Sequence, residues 1–256
     1  MTFDNFITVI PARYASSRLP GKPLAMIGDK PMIQHVYEGC LMAGAKKTIV
    51  ATDDIRIKQA VESFSGSVCM TRDDHLSGSD RLAEVCSILG LSPDDIVVNV
   101  QGDEPFISAQ NIRQVASNLH NNPDCAMATL STGILDKEDI FNPNVVKVVS
   151  NNNSQALYFS RAPIPWQRGA FEDQNPSDFD LLQRHIGIYA YRAGFLAEYV
   201  QMPPAAIELS ESLEQLRVLA NGYKIHIEMA KEVPGLGVDT AEDLVAAEHY
   251  YRTHRL

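Results

Sequence analysis

The chain has 256 residues, of which 45% are hydrophobic and 21% charged, a balance typical of a globular protein with a large core. Its formal net charge of −10 gives no general attraction for nucleic acid or for an anionic membrane surface, so neither is expected as a partner. The sequence shows no signal-peptide pattern, no apolar run of the roughly 20 residues that span a bilayer and no Cys-x-x-Cys pair. A cytoplasmic protein without zinc or thiol redox chemistry is therefore expected.

Strands and helices alternate over the first hundred residues. The predicted strands are Phe6–Ile10, Lys47–Thr52, Val68–Thr71 and Asp95–Val100, and the predicted helices are Pro31–Ala43, Ile55–Phe64 and Asp80–Leu89. This order predicts an α/β fold with a doubly wound, mostly parallel sheet.

The pattern changes after about Asn111 and becomes richer in strands. The predicted strands here are Ala126–Leu130, Val145–Val149, Ala156–Phe159, His185–Tyr191 and Ile225–Glu228, and the predicted helices are Leu209–Asn221 and a last one from Ala241. The polar stretch 162–180 is predicted to be a long surface excursion and the most mobile part of the chain. We expect one domain over residues 1–256 with a β-rich insertion at about 144–200.

A basic loop directly follows the first predicted strand. It reads Pro11-Ala-Arg-Tyr-Ala-Ser-Ser-Arg-Leu-Pro-Gly-Lys-Pro23. In a doubly wound fold this position lies at the carboxyl edge of the sheet, where ligands bind. Arg13, Arg18 and Lys22 supply positive charge for a triphosphate, although a solvated basic loop would read the same. The loop matches neither a Walker A motif nor the glycine pattern of a dinucleotide site.

Two carboxylates are candidate ligands for Mg²⁺. Asp103 follows the clearest central strand in Val100-Gln-Gly-Asp-Glu-Pro105, and Asp239 lies in Gly-Val-Asp-Thr before the last helix. Oxygen ligands at a sheet edge near a triphosphate suit this ion. Each residue taken alone could equally be a turn or helix cap.

The motifs together resemble those of the 3-deoxy-manno-octulosonate (Kdo) cytidylyltransferases. They are the basic loop, Asn-Val-Gln-Gly-Asp-Glu-Pro, Tyr-Phe-Ser-Arg-Ala, His-Ile-Gly-Ile-Tyr-Ala-Tyr, Glu-Ser-Leu-Glu-Gln-Leu-Arg and Gly-Val-Asp-Thr. The similarity runs from about Phe6 to Leu244, with the motifs in the expected order. It implies transfer of CMP from CTP to Kdo with release of pyrophosphate, for lipopolysaccharide biosynthesis, by a homodimeric enzyme that uses Mg²⁺.

The resemblance also implies roles for individual residues. The expected catalytic residues are Arg13, Lys22, Asp103 and Asp239, the last two as metal ligands. The expected CTP-binding residues are Ala12, Arg13, Ser17, Arg18, Lys22, Ser77, Gly78 and Arg81. The expected sugar-binding residues are Gln101, Arg161, His185, Tyr189, Glu211, Glu214 and Gln215.

The sugar-binding assignments have structural alternatives. Arg161 offers a planar fork for a sugar carboxylate but could equally form an internal ion pair. His185 lies in an apolar strand pattern, where a core histidine is common. Glu211, Glu214 and Gln215 are predicted to share one face of a helix, which could be simply a solvated face.

Other functions remain open at the level of sequence. A nicotinamide-dependent dehydrogenase fits the strand–helix order but lacks the glycine fingerprint. A noncatalytic nucleotide-binding regulator on the same fold would not need the two carboxylates. Within the transferases, a sialic acid or an amino variant of Kdo is the alternative acceptor.

Overall fold

The computed structural model describes residues 4–15, 18–75, 77–171 and 181–254. In chain order the strands are β1 (Phe6–Pro11), β2 (Met26–Ile27), β3 (Lys30–Pro31), β4 (Lys47–Thr52), β5 (Val68–Met70), β6 (Ile96–Asn99), β7 (Met127–Gly133), β8 (Lys147–Ser150), β9 (Ala156–Ser160), β10 (Gln183–Arg192) and β11 (Ile225–Met229). The helices are α1 (Met32–Met42), α2 (Ile55–Ser63), α3 (Gly78–Ile88), α4 (Ala109–Asn121), α5 (Lys137–Phe141), α6 (Ala193–Tyr199), α7 (Ala206–Glu211), α8 (Gln215–Ala220) and α9 (Ala241–His254).

The main sheet has the strand order β11-β7-β10-β6-β1-β4-β5. Strands β6, β1, β4 and β5 are parallel neighbours, as are β11 and β7, whereas β10 runs antiparallel between β6 and β7. The predicted α/β class with a mostly parallel sheet is therefore confirmed. Because β1 and β6 are adjacent and parallel, the loops that follow them leave the sheet at the same edge.

Apolar side chains cover both faces of the central strands. In β1, Val9 belongs to the core layer under α3 and α6, and Ile10 belongs to the layer under α1, α2 and α4. Val97 and Val98 of β6 divide in the same way. Successive side chains of a strand point to opposite faces, so a strand with helices on both sides is apolar throughout.

Helix α4 was missed by the sequence analysis, which saw only a change of pattern near Asn111. Its apolar residues follow helical spacing (Ile112, Val115, Ala116 and Leu119), and the Ser108 side chain accepts hydrogen bonds at its start. Buried polar residues obscured this signal. The Asn111 and Gln114 amides donate to the carbonyls of Glu232 and Met229, so tertiary partners satisfy them.

The predicted β-rich range 144–200 contains strands of two kinds. Strands β8 and β9 form a hairpin that branches from the main path of the sheet, whereas β10 is one of its inner strands. The predicted excursion 162–180 is described as far as Phe171, and its remaining residues lie outside the described ranges, so its expected mobility stays a prediction.

Among the described residues, no helix is long and apolar enough to cross a bilayer. The four cysteines are free thiols, and burial raises the pKa of Cys40 and Cys86 to about 12. These two thiols therefore stay protonated at neutral pH.

Candidate active site

The loops after β1 and β6 pack against each other at the carboxyl edge of the sheet. A Cβ atom on Gly102 would lie only 2.9 Å from the carbonyl oxygen of Pro11, so glycine is required for this approach. The backbone N–H of the buried Ala12 donates to the carbonyl of Ala51 at 2.9 Å and ties the basic loop to β4. The sheet thus places two predicted site segments side by side, at the edge where α/β folds bind ligands.

The basic loop presents its cations from a shaped turn. Gly21 adopts φ 70°, and a short 3₁₀ helix begins at Lys22. The Arg13 guanidinium donates through Nη2 to the carbonyls of His75 (2.6 Å) and Ser77 (3.3 Å), which links this loop to the segment before α3. Ser17, expected to bind CTP, lies outside the described residues.

Lys22, Asp103 and Asp239 form one cluster of charged side chains. The Lys22 ammonium donates to Asp103 Oδ2 at 2.7 Å and to Asp239 Oδ1 at 3.0 Å. Burial by itself lowers the pKa of Lys22, but the two carboxylates outweigh it and the pKa is raised. The backbone N–H of Val238 donates to the Asp103 carbonyl at 2.9 Å, which fixes the two remote segments to each other. Arg18 Nη2 reaches Asp239 Oδ1 at 3.2 Å from an exposed position.

This cluster fits a magnesium site completed by substrate. The two carboxylates converge on one cation, the Lys22 ammonium, at hydrogen-bond distance. No group of three or more His, Cys, Asp or Glu side chains in the described ranges could hold a metal by itself. Mg²⁺ is typically bound by one or two carboxylates together with water and substrate phosphates. The donor set of Asp103 and Asp239 therefore matches this ion.

Two adjacent cavities share Gln101 in their walls. The smaller, of about 330 Å³, is lined by the basic loop and both carboxylates, including Ala12, Arg13, Arg18, Lys22, Asp103 and Asp239. The larger, of about 440 Å³, is lined by residues of α3, β6, β10 and the α7–α8 region, including Gly78, His185, Tyr189, Glu214 and Gln215. The structure thus joins the pocket of the basic loop and the two carboxylates to a second, polar pocket.

His185 faces the larger cavity as a neutral ring. Burial lowers its pKa to about 3. Its Nε2 lies 2.9 Å from Thr129 Oγ1, and this hydroxyl donates to the carbonyl of Ile188 at 2.7 Å. A hydroxyl has one proton to donate, so Nε2 carries the imidazole proton and Nδ1 is left as an acceptor.

Glu214, Gln215 and Tyr189 meet on the wall of the larger cavity. Glu214 accepts a hydrogen bond from Ser79 Oγ at 3.0 Å, and burial raises its pKa. Tyr189 Oη donates to Gln215 Oε1 at 3.4 Å. These groups offer a cavity ligand both hydrogen-bond donors and acceptors, as a polyhydroxyl compound requires.

The single helix predicted over Leu209–Asn221 is wrong. The chain forms α7 and α8 instead, broken at Ser212, which has φ 52°. Glu211 ends α7 while Glu214 precedes α8, so the predicted shared face of Glu211, Glu214 and Gln215 is also wrong. The break turns Glu214 and Gln215 into the cavity and leaves Glu211 outside its lining.

The Arg161 side chain donates hydrogen bonds to backbone carbonyls of the protein and does not line the larger cavity. Its Nε donates to the carbonyl of Glu211 (2.7 Å) and its Nη1 to that of Pro143 (2.8 Å). The Glu211 carboxylate in turn accepts from Ser160 Oγ (2.6 Å) and from the Arg161 backbone N–H (2.9 Å). Neither Arg161 nor Glu211 lines the larger cavity. The pair instead holds β9 against the end of α7.

Arg81 has a structural position too. Its side chain is completely buried, with Nη2 donating to Asp53 Oδ2 at 2.8 Å and Nη1 to the Thr71 hydroxyl. It therefore does not reach the cleft as a CTP-binding group. The Ser77 side chain caps α3 by accepting a hydrogen bond from the backbone N–H of Asp80. Gly78 lies in the first turn of α3 and lines the larger cavity.

Two residues of the larger cavity were missed by the sequence analysis. Arg184 precedes His185 on β10 and is the one arginine or lysine on the described cavity wall. Asn99, at the end of β6, is buried with an Oδ1 atom that has no hydrogen-bond partner among the described residues. Arg184 directly precedes His185 and Asn99 lies two positions before Gln101, which was the available signal, but only the antiparallel pairing of β10 with β6 places their strands side by side.

The chain is similar to known cytidylyltransferases over nearly its whole length. The family model described as cytidylyltransferase matches residues 7–225. The 3-deoxy-manno-octulosonate cytidylyltransferase of Vibrio campbellii is 59% identical over 240 residues, covering 94% of this chain and 95% of the relative. That of Pseudoalteromonas atlantica is 55% identical over 242 residues, covering 94% and 95%.

A solved structure agrees with these sequence relatives. It is a CMP:2-keto-3-deoxy-manno-octonic acid synthetase complexed with CTP, 44% identical, with a TM-score of 0.88 over 97% of this chain and 98% of that chain. The shared fold and the identity of more than half the residues over almost the full length place this protein in the 3-deoxy-manno-octulosonate group of the cytidylyltransferase family.

Proposed function

We propose that this protein transfers CMP from CTP to the anomeric hydroxyl of Kdo and releases pyrophosphate. The observation that carries the proposal is the pair of adjacent cavities that share Gln101. One holds Arg13, Lys22 and the two carboxylates, and the other is rich in hydrogen-bonding groups. The names of the relatives and of the solved structure support the same reaction.

The reaction demands mainly positioning from the protein. The anomeric oxygen attacks the α-phosphorus of CTP, the bond from this phosphorus to the bridging oxygen breaks, and the hydroxyl proton passes to solvent. Arg13 and Lys22 hold the triphosphate at the basic loop, and Gln101 lies at the junction with the sugar cavity. Phosphoryl-type transfer needs alignment and charge stabilisation rather than a covalent enzyme intermediate.

We propose Mg²⁺ as the cofactor, held by Asp103 and Asp239. When bound it screens the phosphate and sugar anions and lowers the pKa of the attacking hydroxyl. Asp103 is fixed by its backbone bond to Val238, and Asp239 by the Asp243 carboxylate, which accepts from the N–H of Asp239 at 3.0 Å. The protein thus holds both carboxylates in place before substrate arrives.

The sugar cavity supplies recognition of an acidic, hydroxylated acceptor. Arg184 takes the role expected of Arg161, since it is among the residues that line the cavity and its guanidinium can pair with the sugar carboxylate. His185 Nδ1 and the Glu214 carboxylate accept hydrogen bonds from sugar hydroxyls, and the Gln215 amide completes the set.

The deciding experiment is pyrophosphate release from CTP with Kdo, with an amino variant of Kdo and with sialic acid. We expect release with Kdo to exceed that with the others, and no release with any of them would refute the proposal. Asp103→Asn should reduce turnover by several orders of magnitude in a protein with unchanged circular dichroism. Asp124→Asn, a change at an exposed carboxylate paired with Lys224, is the matched control and should retain activity.

We also propose that the enzyme is a cytoplasmic homodimer serving lipopolysaccharide biosynthesis. The part of the chain after Asn144 exposes large apolar side chains in the isolated chain, with Leu157, Trp166 and Leu181 each more than half exposed. Burying such residues favours association. Sedimentation equilibrium at micromolar concentration tests this assembly, and a monomer there would refute it.

A further inference from the structure

The Lys22 ammonium occupies the position between Asp103 and Asp239 that a metal ion would need. It bonds one oxygen of each carboxylate, at 2.7 and 3.0 Å, and its side chain is only 14% exposed. The carboxylates come from segments 136 positions apart in the chain, joined here by the Val238–Asp103 backbone bond. Lys22 therefore serves as the counterion for two like charges that would otherwise repel each other.

The same oxygens cannot serve the ammonium and a divalent ion together. Mg²⁺ binds oxygen at about 2.1 Å, so an ion on these atoms would lie within about 5 Å of Nζ in its observed position. Like charges at that separation repel even in a high dielectric. An ion held by these two oxygens therefore requires the ammonium to leave, and its flexible stem allows this movement.

The phosphates of a nucleotide offer the displaced ammonium a new partner. Lys22 and both carboxylates line the same cavity of about 330 Å³, together with Arg13 and Arg18. A triphosphate bound there gives Lys22 acceptor oxygens at the moment it releases the carboxylates. Release of the pair and capture of the phosphates are thus linked through one side chain.

We propose that Lys22 is a built-in cation that closes the metal site until a nucleotide triphosphate draws it away. This inference rests on the proposed function for the identity of the nucleotide and of the metal. It predicts that free metal binds weakly to the unliganded protein and that metal and nucleotide each raise the affinity for the other, since coupling between two ligands is reciprocal.

The test is binding of Mn²⁺ alone to the full chain, followed by electron paramagnetic resonance without nucleotide or sugar. The Lys22→Met and Lys22→Gln variants should each bind Mn²⁺ with an affinity at least about tenfold higher than that of the wild type, because the repulsion between the ammonium and the metal ion is removed. Adding Asp103→Asn to Lys22→Met should abolish the gain. The control Lys30→Met removes another carboxylate-paired lysine, bonded to Glu38, and should leave Mn²⁺ affinity unchanged.

A Lys22→Met or Lys22→Gln protein that folds but binds Mn²⁺ no more tightly than the wild type overturns the proposal. If neither variant folds alone, their thermal unfolding with added Mg²⁺ decides, because an opened site predicts rescue by the metal and a merely structural lysine predicts none. This readout needs no turnover. If the Lys22 variants bind Mn²⁺ more tightly but the wild type transfers CMP to no acidic sugar, only the proposed function is refuted. If the wild type transfers CMP but the Lys22 variants bind Mn²⁺ with unchanged affinity, only the closed metal site is refuted.

Discussion

The buried pair of Arg81 and Asp53 permits a sharp separation of stability from ligand binding. Arg81 is completely buried, and the Asp53 side chain is 20% exposed. The Asp53→Asn change removes the negative partner, keeps the size of the side chain and leaves the guanidinium charge inside the protein. We expect a large loss of stability and an unchanged affinity for CTP.

The magnitude follows from the burial of the cation. Removing one partner of a buried ion pair typically costs about 3–5 kcal/mol because the remaining charge is uncompensated. Asp53 retains some contact with water, and Arg81 keeps its bond to the Thr71 hydroxyl, so about 2–4 kcal/mol is expected. The exposed pair of Lys58 and Glu62 is the control, since Glu62→Gln should cost less than about 0.5 kcal/mol.

The assay is urea unfolding followed by circular dichroism, together with CTP titration by calorimetry under conditions where each protein is folded. If Asp53→Asn reduces the free energy of unfolding by less than about 1 kcal/mol, the Arg81 guanidinium that remains is not the costly uncompensated charge that we infer. A folded Asp53→Asn protein that loses tenfold or more in CTP affinity would restore Arg81 to the nucleotide site.

Three further predictions concern His185, Gly28 and Arg184. His185 has a pKa of about 3 in the fold, below its unfolded value, so the unfolded chain binds the extra proton and the free energy of unfolding falls as pH decreases from 6.5 towards 3. His185→Gln should remove up to about 2 kcal/mol of the loss between pH 7 and pH 5, measured by urea unfolding at both values, and an identical loss in both proteins would contradict this. Gly28→Ala places a Cβ against the Tyr251 ring on α9 and should lower the thermal midpoint by several degrees more than Gly44→Ala, where φ is also positive but no described atom lies within 4 Å; equal shifts would rule out the clash. Arg184→Gln should raise the KM for Kdo about tenfold or more while CTP affinity stays constant, and an unchanged KM in steady-state assays would remove Arg184 from the sugar site.

Most of the wall of the smaller cavity could be predicted from the sequence. Residues 6–10 are apolar and β-branched, and the basic loop follows them directly. A buried parallel strand delivers its carboxyl end to the ligand edge of the sheet, so Arg13, Lys22 and Asp103 needed only the strand order to meet. Local pattern and chain direction are sufficient for this kind of inference.

The wall of the larger cavity depended on contacts between remote segments. Arg161 follows one predicted strand and Arg184 precedes another, yet the Arg161 guanidinium is held by the carbonyls of Glu211 and Pro143, whereas Arg184 lines the larger cavity. The break at Ser212 likewise required a positive φ at a residue that tolerates a helix. Sequence periodicity indicates which face of an element is apolar. It does not indicate which distant group will accept the hydrogen bonds of a given arginine or lysine side chain.

The sequence by itself therefore determined the α/β architecture and the place of the basic loop at the edge of the sheet, because these follow from the alternation of strands and helices and from one short contiguous motif. The reaction class followed from the resemblance of several such motifs to a known family. Only the tertiary structure decided that Arg81 is buried on Asp53, that Arg184 lines the larger cavity, and that Lys22 lies between the two carboxylates. The physical reason is that the partner of a charged side chain is fixed by distance in space, and the partners here come from segments far apart in the chain.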